Sequence, residues 1–277
     1  MKLLKKREPV KKALLVGLNK YHPSLHADLR GCVNDVENMR EMLITLFGFD
    51  PENIRVLTDE RATFEGILER IYWLLHSSRK GDELLFHYSG HGSQVRDRNG
   101  DELNDGLDEI LCPYDLNWEE PFTDDTLAEL FKKVHKHANL TMVWDSCHSG
   151  SMTRGLGNPG RLGTPNMSRF LTPPFDIVSR SMDRELPKST IGKKQKGSQR
   201  HVLLSGCRDD QTSADAHIDN KYQGAFTWAL TSTIRANPNI SWKDAHRHAV
   251  TRLQRYTQVP QISGDEDLVS RLVFGGK

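Results

Sequence analysis

The sequence is short of cysteine, of long apolar runs and of net charge, and each shortage closes off a class of function. Its four cysteines (Cys32, Cys112, Cys147 and Cys207) stand far apart. They offer neither the close pairs that ligate zinc nor a framework of several disulfides. Free thiols suit a reducing compartment, so a cytoplasmic location is expected. No stretch approaches the roughly 18 apolar residues of a spanning helix, and no membrane partner is expected. The segment Met1-Lys2-Leu3-Leu4-Lys5-Lys6-Arg7-Glu8-Pro9 is basic but lacks an apolar segment, so it does not read as a secretory signal. A net charge of +1 gives no global reason to expect nucleic acid as a partner. What remains is an ordinary globular composition, 277 residues long, enough for one large domain or two small ones.

Strands alternate with helices along the first half. Ala13–Leu18, Ile54–Leu57, the run Leu84-Leu85-Phe86-His87-Tyr88 and the run Leu140-Thr141-Met142-Val143-Trp144 read as buried strands. Helical spacing places Val33, Val36, Met39, Leu43 and Leu46 on one face of Cys32–Phe47. Further helices are expected over Thr63–Leu75 and from Thr123-Asp124-Asp125 to about His137, with Thr63 and Thr123 as caps. This order predicts an α/β fold, a three-layer α/β/α sandwich with a mostly parallel central sheet. Residues 151–200 break the pattern, being rich in Gly, Pro, Ser and Thr. They carry Arg154, Arg161, Arg169, Arg180, Arg184, Lys188, Lys193, Lys194, Lys196 and Arg200 against three acids, a local charge of +7. By composition alone this is a solvated linker. Structure resumes with a strand at His201–Ser205 and helices at Ala225–Arg235 and Trp242–Tyr256, and a last strand is expected near Leu268–Phe274. The chain thus divides into 1–150, the basic segment 151–200, and 201–277, within a single domain of 1–277.

Two of the strands end in chemistry. One breaks into Ser89-Gly90-His91-Gly92, the other into Asp145-Ser146-Cys147-His148-Ser149-Gly150. Residues just past the carboxyl ends of parallel strands line the binding crevice of an open sheet. A thiol and an imidazole delivered there are the parts of a cysteine nucleophile and its base. An isolated cysteine or histidine reads as packing; at two strand ends together, they do not. These two blocks resemble the catalytic motifs of metacaspases, the caspase-like cysteine peptidases. Ser205-Gly206-Cys207-Arg208-Asp209-Asp210-Gln211-Thr212-Ser213-Ala214-Asp215, Gly31-Cys32-Val33-Asn34-Asp35 and Pro260-Gln261-Ile262-Ser263-Gly264 also match, in family order across nearly the whole chain.

The resemblance implies Cys147 as nucleophile, His91 as its base, and the N–H groups of Gly92 and Cys147 as an oxyanion hole. It assigns Asp145, Ser89 and Asp35 to the pocket for the residue before the cut bond. Strand parity puts Asp145 on the side of Cys147, and Ser89 on that of His91, while His148 points away and reads as structural. Asp35 fits equally well as a first-turn helix carboxylate. An acidic pocket implies cleavage after Arg or Lys, through charge-assisted hydrogen bonds, with self-processing in the basic segment. Asp108, Asp124 and Asp125 match three positions of a family calcium cluster, and Arg154 stands at the fourth. A cation there opposes calcium, so no cofactor requirement is expected and the protein reads as calcium-independent or weakly calcium-responsive; Asp124 and Asp125 also fit as helix-cap carboxylates. Asp97-Arg98-Asn99-Gly100-Asp101 hints at an EF-hand loop but has Glu102 where that loop needs glycine, and reads as a polar hairpin. The expected partners are Arg- or Lys-containing proteins or peptides and a separate activator, the expected state a monomer. Two alternatives stay open: a catalytically silent scaffold on the same fold, and a transpeptidase that passes the acyl group to an amine.

Overall fold

The computed structural model describes residues 7–96, 107–147, 166–177, 200–208 and 211–276. Strand β1 (Lys11–Gly17) is followed by helix α1 (Cys32–Phe47), β2 (Ile54–Thr58), α2 (Phe64–Leu75) and β3 (Glu83–Ser89). A small antiparallel sheet comes next, built from β4 (Gly92–Arg96), β5 (Leu107–Leu111) and β6 (Phe122–Thr123). Helix α3 (Asp124–Phe131) leads to β7 (Asn139–Asp145). Beyond lie β8 (Met167–Ser168), β9 (His201–Ser205), β10 (Ala214–Ile218), β11 (Lys221–Gly224), α4 (Ala225–Ala236), α5 (Trp242–Arg252), β12 (Gln261–Ser263) and α6 (Glu266–Val269).

The central sheet has the order β12-β9-β7-β3-β1-β2. Every neighbouring pair is parallel except β12 with β9. The two-residue period of the strands sorts side chains between two cores. Leu84, Phe86, Leu140 and Met142 pack on one face with Ile67, Ile71 and Leu74 of α2 and Leu127 of α3. Leu85, Val143 and Leu204 pack on the other with Met39 and Leu43 of α1, Phe226 and Leu230 of α4, and Ala245 of α5. Helices therefore cover both faces, and the expected α/β/α sandwich is the fold observed. Buried side chains of this size each contribute about 1.5–3 kcal/mol.

The caps act as expected: Thr63 Oγ1 accepts from the N–H of Gly66, and Thr123 from that of Thr126. Three boundaries differ from expectation. Helix α3 ends at Phe131 rather than His137, because the chain turns back toward β7 and the His135 N–H is taken by Ser78 Oγ. Helix α5 ends at Arg252 rather than Tyr256. The strand expected at Leu268–Phe274 is instead α6 followed by a turn of tighter helix over Val273–Gly275. Phe274 has φ of 48°, which no strand accepts, and packs edge-on against Phe47, Phe49 and Trp242. The sheet edge is taken by β12. The β10–β11 hairpin was also unforeseen. Its two turn residues, Asp219 and Asn220, have φ of 52° and 64°, the positive values of a tight hairpin turn.

The arms of the expected polar hairpin are β4 and β5, while its tip lies outside the described residues. So do Arg154, His148 and most of the segment 151–200.

Candidate active site

Strands β3 and β7 end in register, with Ser89 beside Asp145. His91 and Cys147, two residues further along each chain, are thereby delivered to the same end of the sheet. Both are buried. The His91 ring is fixed by its Nε2, 2.8 Å from the carbonyl oxygen of Ala27. A carbonyl only accepts, so Nε2 carries the hydrogen and Nδ1 keeps its lone pair. Nδ1 has no hydrogen-bond partner among the described residues. The backbone of His91 is clamped as well: its N–H donates to Tyr21 Oη, and its carbonyl accepts from Tyr88 Oη, each at 2.7 Å. Only glycine fits before it, since a Cβ at Gly90 would come within 2.8 Å of both tyrosine hydroxyls. Burial pushes the His91 imidazole down to about 4, so it is neutral near pH 7. Sγ of Cys147 accepts from the N–H of Ser213, and a second buried thiol, Cys207, lies beside it and is pushed up by that contact and by burial.

Three of the residues expected to form an acidic pocket are brought together. Ser89 Oγ donates to Asp35 Oδ2 at 2.7 Å. Asp145 Oδ2 accepts from the N–H and the hydroxyl of Thr227, each at 2.8 Å, and Oδ1 from Ser213 Oγ at 2.7 Å. The N–H of Gly224 donates to Asp35 at 2.9 Å. Two carboxylates thus sit at the N-terminus of α4, where the helix dipole favours negative charge. A third, Asp215 of β10, was not foreseen; its Oδ2 accepts from the N–H of Arg30 at 2.8 Å.

The cation that meets these carboxylates is Arg169, and its side chain is fully buried. Nη2 lies 2.9 Å from Asp35 Oδ2 and 3.1 Å from Asp215 Oδ1. Nη1 lies 3.2 Å from Asp145 Oδ1 and donates to Ser89 Oγ and to the Asp145 carbonyl, each at 2.9 Å. Burial alone would lower the basicity of this guanidinium, yet the surrounding acids hold it well above its usual range. Asp35 is pushed up to about 7, by burial first and by Asp145 as well, against the pull of Arg169. Three acids around one base leave the pocket with excess negative charge, and buried charge on this scale demands a cation. The backbone of Arg169 is held too. Its carbonyl oxygen accepts from the N–H of Gly92 at 2.9 Å and from that of Cys147 at 3.4 Å.

The segment that carries His91 and Cys147 is similar to known proteins. The pattern of the family described as "Metacaspase, peptidase C14 domain" matches residues 11–154. Metacaspase-1B of Neurospora crassa is 34% identical over 95% of the chain and 68% of its own length. Metacaspase-1A of Aspergillus niger is 34% identical over 94% of the chain and 71% of its own length. A crystal structure of a protein from Geobacter sulfurreducens superposes with a TM-score of 0.71 at 25% identity, covering 97% of this chain and 99% of that one. The chain belongs to the metacaspase family. It is a cysteine-type peptidase.

In this metacaspase, Asp215 and Arg169 are the site residues that sequence reasoning missed. Asp215 closes a block already matched to the family, so its type and place were in view but its direction was not. Arg169 was one cation among ten. Among the described residues no group of three or more His, Cys, Asp or Glu side chains is arranged to hold a metal ion. Asp108 sits in β5, and Asp124 and Asp125 open α3, whose first turn the pairing of β5 with β6 brings beside β5. No described helix is long and apolar enough to cross a membrane.

Proposed function

We propose that this metacaspase is an endopeptidase that cuts after Arg or Lys through Cys147 and His91. The observation that carries the reading is the pocket of Asp35, Asp145, Asp215 and Ser89, which holds the Arg169 guanidinium while the Arg169 carbonyl oxygen accepts from the N–H groups of Gly92 and Cys147. Nδ1 of neutral His91 takes the Cys147 proton, and the thiolate attacks the carbonyl of the residue whose side chain fills the pocket. The N–H groups of Gly92 and Cys147 stabilise the oxyanion that develops. The imidazolium then protonates the leaving amine, and water releases the acyl group from sulfur. Ala27, through its carbonyl, holds the tautomer that leaves Nδ1 free for both transfers. Arginine is favoured over lysine, because its two terminal nitrogens reach acids on opposite sides of the pocket where one ammonium reaches fewer.

The test is cleavage of fluorogenic peptides ending in Arg, Lys or Asp by the wild type and by Cys147→Ala. Turnover in the order Arg, then Lys, with none after Asp and none by the variant, is the expected result. Turnover only after Asp would overturn the pocket; no turnover of any peptide would return the scaffold reading. Ligated products in place of hydrolysed ones would identify a transpeptidase.

A further inference from the structure

Arg169 is not merely a cation in an acidic pocket; the residues on both sides of it are seated as a bound peptide is seated. On its N-terminal side, Met167 and Ser168 pair antiparallel with Asp215 and Ala214, so β8 extends the β10–β11 hairpin by a strand. The N–H of Arg169 continues that ladder to the carbonyl of Ser213 at 3.1 Å. On its C-terminal side, Phe170 bridges to Gly92, the N–H of Leu171 donates to the Gly92 carbonyl at 2.9 Å, and the Leu171 carbonyl accepts from Ser93 Oγ at 2.6 Å. Strand addition of this kind is a general mode of peptide recognition, in which main-chain bonds give affinity and one pocket gives specificity. Between the two anchored flanks lies a single peptide bond, Arg169–Phe170. Its carbonyl oxygen is the acceptor shared by Gly92 and Cys147.

We propose that Arg169–Phe170 is the self-processing bond of this metacaspase, and that the uncut segment is its own occupant of the substrate cleft. The inference rests on the reading of Cys147, His91 and the acidic pocket given above. The Cys147 sulfur forms a bond to the Arg169 carbonyl carbon, and the carbon–nitrogen bond to Phe170 breaks. The proton taken from the thiol passes through His91 to the new amine of Phe170. Water then cleaves the thioester, leaving the Arg169 carboxylate and restoring the thiol. The cut is intramolecular, because the segment already lies in the cleft of its own chain. Until the bond is cut, the side chain of Arg169 fills the pocket that any other arginine must enter.

The experiment incubates the purified full chain across about a hundredfold range of dilution, a change to which an intramolecular step is indifferent. Fragments are identified by N-terminal sequencing and intact mass, with hydrolysis of an Arg peptide followed in parallel. The expected result is a new N-terminus at Phe170-Leu171-Thr172, formed at a rate independent of concentration and absent in Cys147→Ala. Phe170→Pro keeps Arg169 but makes the bond a poor one to cut, and is expected to block that fragment. Arg169→Gln is expected to block it too. Phe170→Pro covers the case in which Arg169→Gln, with three buried acids left unpaired, does not fold. Arg-peptide turnover by a chain that stays intact at 169–170, or is cut elsewhere, would overturn the inference and leave the proposed function standing. A rate that rises with concentration would overturn the intramolecular form. The same fragment from Cys147→Ala would assign the cut to another protease. Loss of both self-cleavage and Arg-peptide turnover would overturn the inference together with the reading on which it rests.

Discussion

Asp35 and Arg169, 134 residues apart in sequence, meet 2.9 Å apart with both side chains fully buried. A fully buried arginine on an irregular segment has no packing rationale of its own, since its charge is costly away from water. What holds it there is a set of three carboxylates around its guanidinium, which come from α1, β7 and β10.

Asp215 gives the first prediction. Its Oδ2 must accept the N–H of Arg30, so in Asp215→Asn the amide oxygen is held there and the amide nitrogen turns toward the guanidinium. A donor then faces a donor, and one charge-assisted hydrogen bond is lost. Such bonds are worth about 1.5–3 kcal/mol, so kcat/KM for Arg peptides is expected to fall roughly 10- to 100-fold. Folding is expected to persist, because removing one of three like charges relieves repulsion among those that remain. Steady-state kinetics beside urea unfolding separates the two effects.

Gly224 closes the pocket from the side of α4. Its φ of −66° is open to any residue, so the reason for glycine is space and not backbone strain. A Cβ there would overlap the Asp145 carboxylate and lie 2.5 Å from Arg169 Nη1 and 2.7 Å from Asp35 Oδ2. Gly224→Ala is therefore expected to abolish turnover of Arg and Lys peptides while Cys147 still reacts with a small alkylating agent. Loss of both would point to a wider collapse of the site.

How much of this could be read from the chain depends on the range over which each signal acts. Strands β1, β3, β7 and β9 and helix α1 were legible because burial on a sheet or helix face writes a period into the sequence. His91 and Cys147 were legible because each closes such a strand. The hairpin of β10 and β11 was missed, although Asp219-Asn220 is a local turn signal of the kind that tolerates positive φ. Leu268–Phe274 was read as a strand because its apolar residues suit either period, and only the packing of Phe274 against three aromatic rings decides the matter. Arg169 could not be singled out at all. Its capture depends on three carboxylates distant in sequence, and nothing in its own neighbourhood distinguishes it from the other cations of the segment.

Calcium removal provides another check. Arg154 opposes a cation at the fourth family position, and no group of three or more His, Cys, Asp or Glu side chains among the described residues is arranged to hold a metal ion. Hydrolysis of an Arg peptide is expected to proceed unchanged with a calcium chelator present. Activity that vanishes with chelator and returns on adding calcium would overturn the Arg154 argument and direct attention to Asp108, Asp124 and Asp125.

His87 carries a prediction about acid stability. It lies in β3, fully buried, with Nε2 3.4 Å from Thr227 Oγ1, and burial pushes it down to about 4 from 6.5. Unfolding releases it to bind a proton more readily, so the folded state is favoured above pH 6.5 and loses that advantage as pH falls toward 4. The full effect of the shift is about 3 kcal/mol. His91, also pushed down to about 4, acts in the same direction. Asp35 acts in the opposite one: raised to about 7, it favours the folded state at low pH and loses that contribution as pH rises through 7. Two histidines against one aspartate make the net slope positive, with stability falling from pH 7 to pH 5. His87→Leu removes one of these groups, and Thr227 Oγ1 keeps its bond to Asp145. In a Cys147→Ala background, which prevents self-cleavage from confusing the readout, the difference in urea-unfolding free energy between pH 7 and pH 5 is expected to change by about 2 kcal/mol in the His87→Leu variant, enough to abolish the drop. An unchanged drop would mean that His87 meets water or a proton partner in the folded protein, and that burial does not hold it neutral.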